Sequence, residues 1–165
     1  MTHVVAISPH LDDAAFSVGG LLAAHARGGD RVTIVTCFTG NVAQPTGFAL
    51  ACQLDKGLAP DVDYMALRRA EDLAACAVIG ATAIHLPLLE APHRGYASAS
   101  ALFAARRDDD GMLAPLAAAL AGQIDALAPQ AQKHDQHREA LGFGISLLHP
   151  VVEIGFVHGQ PRDDG

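Results

Sequence analysis

A chain of 165 residues, half of them apolar and 18% charged, has the composition of one globular domain with room for a core, not of a disordered segment. A formal charge of −7 and only two lysines, Lys56 and Lys133, leave no basic stripe, which argues against nucleic acid and anionic membrane surfaces as partners. Trp is absent and aromatics are few, so Ala, Leu, Val and Ile must build the core.

In chain order, Val4 to Ser8 is apolar without alternation and reads as a buried strand. Ala14 to Arg27 reads as a helix with Phe16, Leu21, Leu22 and Ala24 on its packed face, ended by Gly28-Gly29. Arg31 to Cys37 is rich in β-branched residues and forms the second strand. This β-α-β pattern implies parallel strands, hence a three-layer α/β sandwich with a mainly parallel, Rossmann-like central sheet. Phe38 to Val62 is a long turn-rich segment, of the length usual for a lid or binding loop, with a short helix expected within Ala49 to Leu58. Tyr64 to Ile79 forms the next helix, striped by Ala66, Leu67, Ala70, Leu73, Ala74, Ala77 and Val78.

Thr82 to Leu86 is a third strand, and Pro87 to Gly111 a second long loop. Its run Asp108-Asp109-Asp110 is expected to be a solvated turn, because charge blocks are usually exposed. Met112 to Ala128 is a third long helix, and Val151 to Val157 a candidate last strand. The chain shows no repeat and no linker, so it is read as one domain spanning residues 1–165. Cys37, Cys52 and Cys76 are odd in number and without Cys-x-x-Cys, as expected of reduced thiols. Met1-Thr2-His3 leads straight into the first strand, leaving no space for a signal peptide, and no apolar run is long enough to span a membrane. The expected address is the cytoplasm.

Chemistry concentrates just after the first strand. His10, Asp12 and Asp13 arrive together where α/β sheets gather ligands, beyond a strand's carboxyl end. One imidazole and two carboxylates suit a divalent metal, Zn²⁺ first, with one carboxylate left over as a base. The simpler alternative is that one Asp caps the helix, but a cap needs only one Asp. A third metal ligand must come from later in the chain, and His134-Asp135-Gln136-His137 offers two histidines three residues apart. Arg68 opens the second helix and either faces the substrate or pairs with Glu71. His85, near the end of the third strand, borders the same region.

Pro9-His10-Leu11-Asp12-Asp13 resembles the first motif, Pro-His-x-Asp-Asp, of the PIG-L/LmbE-like family of metal-dependent N-acetylglucosaminyl de-N-acetylases. Arg68-x-x-Glu71 and Leu86-Pro87-Leu88-Leu89-Glu90-Ala91-Pro92-His93-Arg94 are similar to later family segments. His134-Asp135-Gln136-His137 departs from the family's His-x-Asp-His, since its Asp stands one place early. The chain is also short of the elements that family members carry after this motif.

The resemblance implies His10, Asp13 and His137 as ligands of Zn²⁺ or another divalent metal. It implies Asp12 as the base, protonated His134 as the oxyanion partner, and Arg68 as a substrate contact. It implies hydrolysis of an N-acylated amino sugar or glycoconjugate to acetate and a free amine; a homo-oligomer is compatible with this. The alternative is an inactive or truncated relative, a small metal- or sugar-binding α/β domain.

Other enzyme classes fit poorly. Gly-x-Gly-x-x-Gly is missing after the first strand, Gly-x-Ser-x-Gly is absent, and neither Lys sits at a strand end as a receiver-type domain requires.

Overall fold

A computed structural model describes residues 2–127 and 156–157 of the chain. The elements run β1 (His3–Ser8), α1 (Asp13–Arg27), β2 (Arg31–Thr36), α2 (Gly47–Asp55), α3 (Tyr64–Ile79), β3 (Thr82–His85), a 3₁₀ turn (Ala91–Arg94), α4 (Ala99–Ala104), α5 (Leu113–Leu127) and β4 (Phe156–Val157). The sheet order is β3-β2-β1-β4. β1 and β2 pair in parallel from His3↔Arg31 to Ser8↔Thr36, and β2 and β3 in parallel from Thr33↔Thr82 to Thr36↔His85. β4 lies antiparallel to β1. The expected α/β architecture is therefore present. Of the expected strand Val151 to Val157, only Phe156–Val157 falls within the described residues.

Both faces of the sheet are covered, which is why its strands are apolar without alternation. On one face Val4, Ala6, Val32 and Ile34 pack against Ala14 and Leu22 of α1 and Cys76 of α3. On the other, Val5 and Val35 pack with Cys37, Phe38 and Leu86 against Leu116 of α5. Strand alternation then places Ser8, Thr36 and His85, the last residues of three neighbouring strands, on the α1/α3 side at the sheet's carboxyl end.

The helices differ from expectation in phase. Phe16 is 87% and Val78 88% exposed, and Leu21, Leu67 and Leu73 are exposed as well. The packed stripe of α1 is Ala14, Val18, Leu22 and Ala26, four apart, with Gly19 lying close to Ile79. On α3 the buried residues are Met65, Asp72 and Cys76. Apolar residues alone misplace this stripe because polar groups occupy its inner face.

The second long loop carries structure of its own. Ser98 caps α4 by accepting the Ala101 N–H at 3.1 Å. Asp110 does not join Asp108 and Asp109 in solvent. Its carboxylate is enclosed and takes Nε of Arg94 at 2.7 Å, Nη2 of Arg94 at 3.2 Å and the Tyr96 hydroxyl at 2.9 Å.

All three cysteines are free thiols, and burial pushes those of Cys37 and Cys76 up to about 11, so both are inert core groups. Among the described residues, no helix is long and apolar enough to cross a membrane.

Candidate active site

The turn after β1 is built by its own side chains. Ser8 is buried; its hydroxyl donates to the His10 carbonyl at 2.7 Å and accepts the Ala14 N–H at 3.1 Å, tying strand end to helix start. Asp13, the first residue of α1, reaches back. Its Oδ2 accepts the His10 N–H at 3.0 Å and lies 3.2 Å from Nδ1 of the same residue. Two donors of one tetrahedral Zn²⁺, each at roughly 2.0–2.1 Å, stand about 3.3 Å apart. The spacing of His10 and Asp13 fits a shared ion. Phe38 lies beside the imidazole, with ring centroids 5.6 Å apart and the planes tilted by 34°, and the Arg94 guanidinium lies 5.1 Å from the centroid of the Phe38 ring.

Asp12 is built differently. With φ 98° and ψ −29° it is the sole non-glycine residue at positive φ among the described residues. It stands at the N-cap of α1, yet its side chain accepts no helix N–H. The capping alternative therefore fails for Asp12. Its carboxylate is 55% exposed, with the Arg68 guanidinium 3.7 Å away. Partial enclosure raises its pKa; Arg68 opposes this, the Asp13 carboxylate adds to it, His10 opposes it and Asp72 adds to it.

α3 supports the turn from behind. Arg68 does not pair with Glu71, which is exposed. Its Nη1 donates to Oε1 of Glu90 at 2.6 Å and its Nη2 to the Leu11 carbonyl at 2.7 Å. The acid that turns inward is Asp72, which accepts the Asp12 N–H at 3.3 Å and Nε2 of His85 at 2.8 Å. Glu90 is brought to Arg68 by a tight crossing of two loops. Gly40 donates to the Leu88 carbonyl at 2.8 Å, and a Cβ there would stand 2.7 Å from the Pro87 oxygen, so only glycine fits. Asp72 and Glu90 are the functional candidates that the sequence left unassigned. Their signals were the four-residue spacing from Arg68 and the place of Glu90 in the loop after β3.

His10, Asp12 and Asp13 are thus brought together, with Arg68 beside them. His134 and His137 lie outside the described residues. Among the described residues no three His, Cys, Asp or Glu side chains converge as a metal cluster. A catalytic zinc usually takes three protein ligands, and the His10–Asp13 pair offers two donors toward such a set.

A crevice of about 30 Å³ opens beside Glu90, lined also by Asn41, Gln53, Tyr64 and His93. It holds about one water, too little for a sugar. None of His10, Asp12 and Asp13 lines it.

The PIG-L family, described as GlcNAc-PI de-N-acetylase, matches residues 5–143. No curated protein matches the chain significantly. Among solved structures, the A40926 pseudoaglycone deacetylase Dbv21 is 32% identical, with a TM-score of 0.64, over 78% of this chain and 48% of its own. A deacetylase solved in complex with teicoplanin is 31% identical, with a TM-score of 0.64, over 78% of this chain and 55% of its own. The zinc-inhibited form of teicoplanin deacetylase Orf2 is 39% identical over 56% of this chain and 35% of its own, with a TM-score of 0.54. The chain spans about half the length of the first two.

Proposed function

The chain belongs to the PIG-L, GlcNAc-PI de-N-acetylase family, and from that premise we propose that it is a metal-dependent amide hydrolase. Its reaction is removal of an N-acetyl or N-acyl group from an amino sugar or sugar conjugate. The observation that carries this is the division of labour in one turn: His10 and Asp13 meet at 3.2 Å, while Asp12 points elsewhere beside Arg68.

His10 and Asp13 would hold Zn²⁺ or a similar divalent ion, with His137 as the third ligand. The ion would supply positive charge at the amide carbonyl and lower the pKa of water at the site to about 7. Asp12 takes the proton from the attacking water and returns it to the leaving amine. A raised carboxyl pKa suits that double duty. Protonated His134 stabilises the oxyanion. Arg68 is committed to Glu90 and Leu11, which favours a supporting role over direct substrate contact.

Sugar conjugates are the favoured substrate class because the family is described as GlcNAc-PI de-N-acetylase and one relative is named as a pseudoaglycone deacetylase. Free thiols fit a cytoplasmic address, and we take the chain as one domain. A second reading, a metal- or sugar-binding relative without activity, is favoured by the altered second motif. The test is release of free amine from N-acetylglucosamine conjugates and acylated glycopeptides. Zinc should be titrated, since one relative was solved in a zinc-inhibited form. Turnover that is lost in Asp12→Asn supports the hydrolase; metal-loaded protein without turnover on any of these supports the binding domain.

A further inference from the structure

Arg68 and Asp72 stand one helical turn apart on α3, beside the turn that carries Asp12. They hold the two ends of a single peptide bond. Nη2 of Arg68 donates to the Leu11 carbonyl at 2.7 Å, and the Asp12 N–H donates to Oδ1 of Asp72 at 3.3 Å. These are the C=O and N–H of the Leu11–Asp12 peptide. In a trans peptide the two groups point in opposite directions, so a donor and an acceptor on one helix face can take both.

A peptide unit can rotate as a plate while the chain on either side keeps its path. Rotation by half a turn would carry φ of Asp12 from 98° to about −80°, an ordinary value. The flipped plate would set the Leu11 carbonyl against the Asp72 carboxylate and the Asp12 N–H against the Arg68 guanidinium. Both contacts repel, and both charge-assisted hydrogen bonds would be lost. The two side chains therefore select the plate orientation that gives Asp12 its left-handed backbone.

The clamp is itself braced. The Asp72 side chain is buried, and its second oxygen takes Nε2 of His85 at 2.8 Å. Arg68 is held by Glu90 at 2.6 Å, with side chains 17% and 13% exposed. His10 and Asp13, in contrast, are tied through Ser8 and through each other.

We propose that Arg68 and Asp72, braced by Glu90 and His85, are positioning residues that force Asp12 into its left-handed conformation and so aim its carboxylate. This rests on the assignment of Asp12 as base in the preceding section. The clamp governs the rate and leaves metal affinity alone.

Asp72→Ala removes the acceptor, and Arg68→Met removes the donor while keeping the stem. Crystal structures of both should show Asp12 at negative φ. Zinc affinity, measured by calorimetry, should stay within about threefold of wild type, because the His10–Asp13 pair is untouched. On an acylated amino-sugar substrate, kcat should fall about 10²-fold with KM little changed, the size expected of a misplaced catalytic group. Asp72→Asn, whose Oδ1 can still accept the Asp12 N–H, should recover most of that loss. If Asp72→Ala does not fold, Arg68→Met and Asp72→Asn carry the same comparison. Asp12 keeping positive φ in every clamp-breaking variant, or zinc affinity falling in step with kcat, would overturn the proposal. A wild type without deacetylase activity would remove the hydrolase assignment, while the backbone of Asp12 would still decide the clamp.

Discussion

Oδ2 of Asp13 lies 3.2 Å from Nδ1 of His10 and accepts the same residue's backbone N–H at 3.0 Å. One carboxylate oxygen thus fixes both the backbone and the ring of its neighbour. Asp13 opens α1, where the helix dipole favours negative charge. In the proposed metal site the two donors would be in place before an ion arrives, which would reduce the ordering cost of binding. Asp12, one residue away, faces Arg68. Adjacent carboxylates are separated in this way by a backbone conformation that aspartate adopts only at some cost.

That conformation has a stability signature. Glycine adopts positive φ freely and alanine does not. Asp12→Gly should match or exceed wild type in urea denaturation, and Asp12→Ala should fall about 1 kcal/mol below Asp12→Gly. Equal midpoints for the two variants would mean that the turn relaxes to negative φ without cost.

Asp110 predicts an acid-sensitive loop. Burial raises its pKa, but hydrogen bonds from Arg94 and Tyr96, with the Arg94 charge, outweigh that and hold it below the usual carboxylate range. A depressed carboxyl stabilises the fold above its unfolded pKa of about 3.9, and that stability is lost as pH falls through the folded value. Asp110→Ala should cost about 3 kcal/mol at pH 7, because it leaves Arg94 enclosed without its partner. The gap between wild type and Asp110→Asn should be full at pH 6 and shrink below about pH 4. A gap that is constant down to pH 2 would contradict the assignment.

Helix phase can be tested by paired substitutions. Leu22, fully buried against the sheet, should cost about 2–5 kcal/mol as Leu22→Ala. Phe16→Ser on the same helix should stay within about 0.5 kcal/mol of wild type, since Phe16 is exposed. Thermal denaturation reversing that order would restore the stripe expected from the sequence.

The β-α-β core was legible because both faces of the sheet are buried, so the strands are continuous apolar runs. The juxtaposition of His10, Asp12 and Asp13 was legible because they fall within four residues of one another. The phase of α3 was not, since Arg68 and Asp72 sit on its inner face and leave Leu67, Leu73 and Val78 outside. Hydropathy assigns such residues to the wrong sides. Asp110 was hidden for a similar reason: its partners Arg94 and Tyr96 lie 16 and 14 residues away, and charge runs reveal nothing about distant partners. The pairing of Arg68 with Glu90 spans 22 residues and was equally invisible beside the nearer Glu71.

Metal content and turnover of Asp12→Asn and Asp13→Asn, measured side by side, test the separation of ligand from base most directly. We expect wild type to carry about one Zn²⁺ per chain. Asp12→Asn should retain it while losing about 10²–10⁴-fold in rate, the usual worth of a positioned base. Asp13→Asn should lose metal first, and added Zn²⁺ should partly restore its activity but not that of Asp12→Asn. Metal lost from Asp12→Asn and kept by Asp13→Asn would contradict the assignment.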